Sequence, residues 1–154
     1  MRLPMRAAEG DITVGVVTRA AQRDQAFSIR RRVFQEEQGV SAAEEFDADD
    51  DRAVHVLAVA GGAGGTAVGT GRIVFYPGYA KIGRMAVLPK WRRRGVGHAL
   101  LDALIRAAVE RAVPQLVLHA QVHAIPFYAA HGFQVVSAEF QEAGIAHRRM
   151  ERWI

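Results

Sequence analysis

Arg92-Arg93-Arg94-Gly95-Val96-Gly97 lies between a short apolar run, Ile82 to Leu88, and a longer amphipathic one, Gly97 to Val113. Read as strand, turn and helix, the stretch sets a cationic, glycine-opened loop at a helix N-terminus. The first N–H groups of a helix have no intrahelical partner, and the positive end of the helix dipole lies there. Two glycines let a ligand approach the backbone closely. The combination suits a phosphate or pyrophosphate. It is not a Walker loop, because no Gly-Lys-Ser/Thr follows. Nor is it the dinucleotide fingerprint, since Leu100 stands where a third glycine belongs.

The helix after the loop is the clearest element. Leu100, Leu101, Leu104, Ile105 and Ala108 make one apolar face, while Asp102, Arg106 and Glu110 recur on the other. Pro114 ends it, and Gln115 to Gln121 follows as a strand. Pro126 to His131 reads as a short helix closed by Gly132, with strands at Phe133 to Ser137 and Ala146 to Trp153. Upstream, Ile12 to Val17 is a β-branched strand. Ala26, Ile29 and Val33 give helical spacing over Asp24 to Glu37, with Gly39 as the stop. Ser41 to Asp51 is an acidic stretch expected as a solvated loop. Val54 to Ala60 and Ala67 to Tyr76 form a hairpin about Gly61 to Gly65, and Ala80 to Leu88 follows the Pro77-Gly78 turn. The order is β-α-β-β-β-α-β-α-β-β, an α/β class with a mixed sheet.

The 154 residues favour one domain, residues 1–154, with one core. No apolar stretch approaches the ~20 residues that span a bilayer. Met1 to Gly10 lacks an apolar signal region, so a cytoplasmic location is the default. The absence of cysteine excludes disulfides, thiolate metal sites and a cysteine nucleophile. His119 and His123 lack the intervening Glu of a His-Glu-x-x-His zinc motif, and no metal is expected. The 20 basic and 16 acidic residues are separated along the chain. Arg92 to Arg94 points to a polyanionic ligand, and the acidic stretch to a cationic one. Arg30 to Arg32 reads as a solvated helix face. Arg84 either faces the cleft to bind an acidic acceptor group or snorkels to solvent.

Three pieces in order carry a family resemblance: Ile82-Gly83-Arg84-Met85-Ala86-Val87, the Arg92 to Gly97 loop, and Ala124-Ile125-Pro126-Phe127-Tyr128-Ala129-Ala130-His131-Gly132-Phe133. Together they resemble the GNAT N-acetyltransferase superfamily. Val33-Phe34-x-x-Glu37-Gln38-Gly39-Val40 and Gly144-Ile145-Ala146-His147 further resemble its small bacterial ElaA-like branch. The resemblance implies a mostly antiparallel central sheet flanked by helices, and acetyl-coenzyme A as acyl donor. It places Arg92, Arg93, Arg94, Gly95, Val96, Gly97 and His98 at the pyrophosphate, and the backbone of Met85, Ala86 and Val87 along the pantetheine arm. Phe127 joins this cofactor set. Gln121 stands where the family often has an Asn toward the pantetheine.

Tyr128 is the implied general acid, protonating the departing thiolate. A free phenol near ~10 and a thiol near ~8.5 make the transfer uphill by about 2 kcal/mol. An alkyl ammonium near ~10.4 must lose a proton before attack, at roughly 4–5 kcal/mol at pH 7. Glu37, Glu142 and His147 are the candidate bases. The expected function is acetyl transfer to a small-molecule or peptide amine by direct attack. A non-catalytic acyl-coenzyme A sensor of the same fold is the alternative. A nucleic-acid-binding domain ranks third, because no basic stripe interleaves with aromatics. Strand edges and the apolar ending Trp153-Ile154 are compatible with a homodimer.

Overall fold

The structure is a computed structural model that describes residues 2–7, 10–62 and 64–154, with side chains from residue 11 onward. Its centre is three antiparallel strands, β3 (Val54–Ala60), β4 (Thr66–Tyr76) and β5 (Tyr79–Val87), rich in Val and Ile and almost wholly buried along β3 and β4. On one side β2 (Gly10–Val16) pairs with β3, and β1 (Arg2–Ala7) pairs with β2. On the other side β6 (Gln115–Gln121) runs parallel to β5. Next come β9 (Ile145–Trp153) and β7 (Gln134–Val135), with β8 (Phe140–Glu142) also on β9. Among the described residues this is a nine-stranded sheet in which β5 and β6 alone pair in parallel.

Helices cover both faces of β4. Cβ atoms built at Gly69 and Gly71 would lie 2.9 Å from Leu100 and Leu104 of α3 (Val96–Glu110), so these glycines let the helix settle on the sheet. Leu100, Leu101, Leu104 and Ala108 are fully buried there. Side chains alternate along a strand, so Arg72 points to the opposite face. That face is covered by α1 (Ala20–Arg30) and its π-helical continuation, Arg31–Glu37. Burial of Ala26, Ile29, Val33 and Phe34 fixes this pair of segments against the sheet.

Helix α3 stops at Glu110, before the expected Val113. Ala112 is left-handed at φ 55°, its N–H donates to the Val109 carbonyl, and Val113 N–H donates back to Ala108. This is the hydrogen-bond pair of a Schellman cap, built on alanine instead of glycine. An L-residue in that conformation costs roughly 1–2 kcal/mol. Ala112→Gly is therefore expected to raise stability by about 1 kcal/mol, or roughly 2–4 °C in Tm. Thermal unfolding checks it, and no gain would mean that the cap carries no strain.

Three expectations need correction. Strands β1 and β8 were not anticipated. The first is an edge strand held by backbone pairing, where Pro4 is tolerated; Met1, Ala8 and Glu9 of the N-terminal segment lie outside the described residues. The second has three residues, too few for a periodic signal, and is turned onto β9 by left-handed Ala143 and Gly144. The acidic stretch is not a solvated loop. It forms α2 (Ala42–Glu45) and a 3-10 turn, Ala48–Asp51, with Glu45 and Asp50 buried. Their partner is Arg30, only 1% exposed, so the Arg30 to Arg32 run is not a solvated face throughout.

Candidate active site

Strands β5 and β6 share register only over Ala80 to Ile82 and Leu116 to Leu118. Both continue further, to Val87 and Gln121, but they diverge. The cause is local. Arg84 is left-handed at φ 53°, and the β4 register shifts between Thr70 and Arg72. Two β5 residues, Arg84 and Met85, there oppose the single Gly71, which makes a β-bulge. The bulge bends β5 away from β6 and leaves the β6-facing backbone edge of Met85 to Val87 without a ladder partner. A cavity of about 920 Å³ fills the opening.

The glycine loop closes one end of this cavity. Arg93 at φ 61° and Gly95 at φ 82° are both left-handed, and Gly95 is the N-cap of α3 with no side-chain capping bond. The first-turn N–H groups of α3 therefore remain for a ligand. Arg92, Arg93, Gly95, Gly97 and His98 line the cavity. Val96 is buried beneath them, and the Arg94 guanidinium packs over Trp91 at 5.3 Å. Gly97 leaves room for Phe127, whose ring would lie 3.4 Å from a Cβ there. Phe127 is part of an aromatic group with His98 and His131. His98 Nδ1 is 2.7 Å from His131 Nε2, and His131 Nδ1 is 3.5 Å from Asp102.

Helix α4 (Ile125–Ala129) carries Tyr128 to the wall of the cavity. Its hydroxyl is 3.7 Å from Met85 Sδ. Burial pushes the phenol up to about 12, so it is a neutral donor throughout the physiological range.

The three base candidates fall in two places. Glu37 is clasped by Arg92, with two N–H···O contacts of 2.7 Å, while Arg92 Nε also donates to the Val87 carbonyl. The Arg92 hydrogen bond holds the Glu37 carboxyl below its ordinary range. Gln38, next along, exchanges amide hydrogen bonds with Gln121 at 3.0 and 3.4 Å. Glu37 and Gln38 thus strap the end of the π-helical segment to both lips of the cleft.

Glu142 and His147 do come together, at 3.8 Å. The residue that joins them is His119, whose Nδ1 lies 2.8 Å from Glu142 Oε1. This bond holds Glu142 below the ordinary carboxylate value despite burial. His147 Nδ1 faces the Ile145 carbonyl at 2.7 Å, so Nδ1 carries a proton and Nε2 is the nitrogen directed at Glu142. Phe140 contacts both imidazoles. His119 was read only as a rejected zinc ligand. The signal was in β6 itself, where Gln115, His119 and Gln121 alternate with buried Leu116, Leu118 and Ala120. Arg84 neither snorkels nor stands free: it reaches Glu45 at 3.3 Å and Asp47 at 3.2 Å. Among the described residues no group of three His, Cys, Asp or Glu is placed to hold a metal ion.

Comparison with known proteins bears on this arrangement. Residues 18–153 match the acetyltransferase (GNAT) domain family. The chain is 39% identical over 130 residues to the uncharacterized N-acetyltransferase YjcF of Bacillus subtilis, covering 84% of this chain and 91% of YjcF. An acyl-CoA N-acyltransferase from Pseudomonas aeruginosa has a similar structure, with TM-score 0.78 and 25% identity over 92% of this chain and 98% of that one. Escherichia coli ElaA shares the fold, with TM-score 0.80 and 24% identity over 92% and 99% of the two chains. The overall fold is thus shared with these solved structures, and the chain belongs to the GNAT acetyltransferase family of acyltransferases.

Proposed function

We propose that the protein transfers an acetyl group from acetyl-coenzyme A to an amine by direct attack. Members of this family use an acyl-coenzyme A as co-substrate. The observation that carries the reading is one cavity uniting an uncapped helix start, a strand edge without a ladder partner and a neutral phenol. The N–H groups from Gly95 to His98 would hold the pyrophosphate. The ladder-free edge of Met85 to Val87, where Arg92 already occupies the Val87 carbonyl, would pair with the pantetheine arm and polarise the thioester carbonyl. The thioester supplies the activated acyl group.

Residues at the two ends of the reacting centre divide the proton work. Tyr128 gives its proton to sulfur as the C–S bond breaks. The amine gives up a proton as its C–N bond forms, and neutral His147 takes it at Nε2. Glu142, 3.8 Å away, stabilises the resulting imidazolium, and His119 keeps Glu142 ionised. Glu37 is not given this role, because Arg92 occupies both its oxygens.

Calorimetry with acetyl-coenzyme A tests the cofactor site. A bulky residue at position 97 must displace Phe127 and cover the helix start. Arg92→Ala/Gly97→Trp is expected to weaken binding by about 100-fold, or about 2.7 kcal/mol, with its far-ultraviolet dichroism unchanged. Equal binding by the variant would remove the loop from the site. Tight binding without turnover of any amine would instead favour the acyl-coenzyme A sensor.

A further inference from the structure

Beside the glycine loop, His98, His131 and Asp102 form a chain whose chemistry the acetyl-transfer scheme leaves unused. His98 is in the first turn of α3 and lines the cavity. Its Nδ1 is 2.7 Å from His131 Nε2, and His131 Nδ1 is 3.5 Å from Asp102 Oδ1, one turn further along α3. The backbone of His131 is pinned on both sides. Its N–H donates to the Tyr128 carbonyl, and its own carbonyl accepts from Arg152 Nη1 at 2.9 Å. Gly132 makes room for that arginine, since a Cβ there would lie 3.4 Å from Arg152 Nε. Phe127 packs on both imidazoles, at 4.8 and 5.5 Å between ring centres.

The chain sets an order for its protons. Two ring nitrogens 2.7 Å apart share a single proton, so the pair carries at most one positive charge while the bond lasts. The Asp102 carboxylate favours N–H over a lone pair at His131 Nδ1. In the neutral pair His131 Nε2 is then the acceptor and His98 Nδ1 the donor. That leaves His98 Nε2, on the side of the ring away from His131, as the place for the next proton. Burial holds His131 below the ordinary histidine value; Asp102 opposes this, while His98 and Arg152 add to it. Two of the loop cations are turned to other partners. Arg92 is clasped by Glu37 and donates to the Val87 carbonyl, and the Arg94 guanidinium lies over Trp91. Arg93 lines the cavity, as His98 does.

Resting on the acetyl-coenzyme A reading of the loop, we propose that His98 is a proton-linked ligand for a phosphate of the coenzyme. Binding draws a proton from solvent onto His98 Nε2. His131 and Asp102 are positioning residues that keep this nitrogen turned outward and hold the imidazolium. An ionised phosphate oxygen accepts hydrogen bonds and donates none, so it takes an N–H and is repelled by a bare ring nitrogen. The helix start supplies partial charge through its backbone N–H groups. His98 adds a whole charge that is present once the anion is in place. Proton uptake on binding means tighter binding in acid, and the gain fades as pH rises until the complex itself gives up the proton.

Calorimetry of acetyl-coenzyme A at about pH 7, in buffers of different ionisation enthalpy, counts the protons taken up. Wild type is expected to take up about half a proton more than His98→Gln, a difference from which the coenzyme's own phosphate titration cancels. The affinity ratio of wild type to variant is expected to rise about 5-fold from pH 8 to pH 6. Dephospho-acetyl-coenzyme A, which lacks the ribose phosphate, locates the anion: uptake retained assigns the diphosphate, and uptake lost assigns the ribose phosphate. Nitrogen-15 shifts of histidine-labelled protein read the positioning role. Free His98 at about pH 8 is expected to carry N–H at Nδ1 and a bare Nε2, with both nitrogens protonated in the complex. His131→Phe is expected to abolish that fixed tautomer in the free protein. Equal uptake by wild type and His98→Gln, or a flat affinity ratio, overturns the proposal while binding itself keeps the acetyl-coenzyme A reading. A bare Nδ1 on free His98, or a tautomer unaltered in His131→Phe, overturns the role of His131 and Asp102. Failure of the wild type to bind acetyl-coenzyme A sinks the underlying reading and the ligand with it.

Discussion

Arg30→Met is expected to lower folding stability by about 3–5 kcal/mol, which for a chain of this size is roughly 6–20 °C in Tm. Arg30 sits at the end of α1 under the acidic segment. Its Nε reaches Glu45 at 2.6 Å, Nη1 reaches Asp50 at 2.7 Å, and Nη2 donates to the Glu45 carbonyl at 2.8 Å. Its guanidinium carbon lies 5.0 Å from the Phe27 ring centre and 4.8 Å from that of Phe46, with the two rings themselves in contact at 5.3 Å. Methionine fills much of the volume but leaves two buried carboxylates short of their cation. Glu45 suffers most, because burial already pushes its carboxyl up even with Arg30 present. Asp50 goes the other way: burial pushes it up, but Arg30 and Arg72 outweigh that and bring it down to about 2. A depressed carboxyl contributes stability above its unfolded value near ~3.9. That contribution fades as pH falls toward 2. Urea unfolding at pH 7 and pH 3 reads both effects. A loss under about 1 kcal/mol would mean that Glu45 and Asp50 find water or protons without Arg30. The acidic segment also walls the cavity through Glu44, Glu45 and Asp47. The same substitution should therefore raise the acceptor KM more than that of acetyl-coenzyme A.

This network explains what was legible in the chain and what was not. The glycine loop could be read because its signal is local: a helix start declares itself by the residues on either side. Tyr128 was read for the same reason, within one continuous motif. The acidic stretch misled, since adjacent charges normally mean a solvated surface. Its three arginines come from α1, β4 and the β5 bulge, and only the strand register brings Arg72 and Arg84 to one place. Lys81 and His119 sit between these cases. Each occupies a polar position in a strand whose neighbours are buried, on the cleft side of adjacent strands. That alternation was available, but the pairing of β5 with β6 was needed to see that both polar positions face the same space. The Glu37–Arg92 clasp had no sequence signal, because it joins residues 55 apart.

Tyr128→Phe is expected to reduce kcat by about 100- to 1,000-fold, or about 2.7–4 kcal/mol in the barrier. The ring remains, with its edge contacts to Phe127 at 5.0 Å and Phe133 at 6.2 Å, so the fold and the cavity wall are preserved. The lost hydroxyl touches only Met85 Sδ among the described residues. Acetyl-coenzyme A affinity should therefore change by less than about 3-fold, or about 0.7 kcal/mol. The size of the kcat effect comes from the leaving group. With the phenol at about 12, protonating a thiolate of ordinary pKa near ~8.5 would be uphill by roughly 5 kcal/mol. Burial that raises the phenol also raises a thiol in the same cavity, which narrows that gap. The proton is thus useful only while the C–S bond is breaking and negative charge collects on sulfur in a poorly hydrated site. Two readouts separate this role from packing. Tyr128 ionisation should produce no basic limb in the wild-type pH–rate profile below about pH 10, because burial keeps the phenol protonated. Any acid limb of that profile should survive in Tyr128→Phe at the lower rate. A variant within about 3-fold of wild type in kcat would reduce Tyr128 to a wall of the cavity, and the leaving thiolate would then take its proton from water.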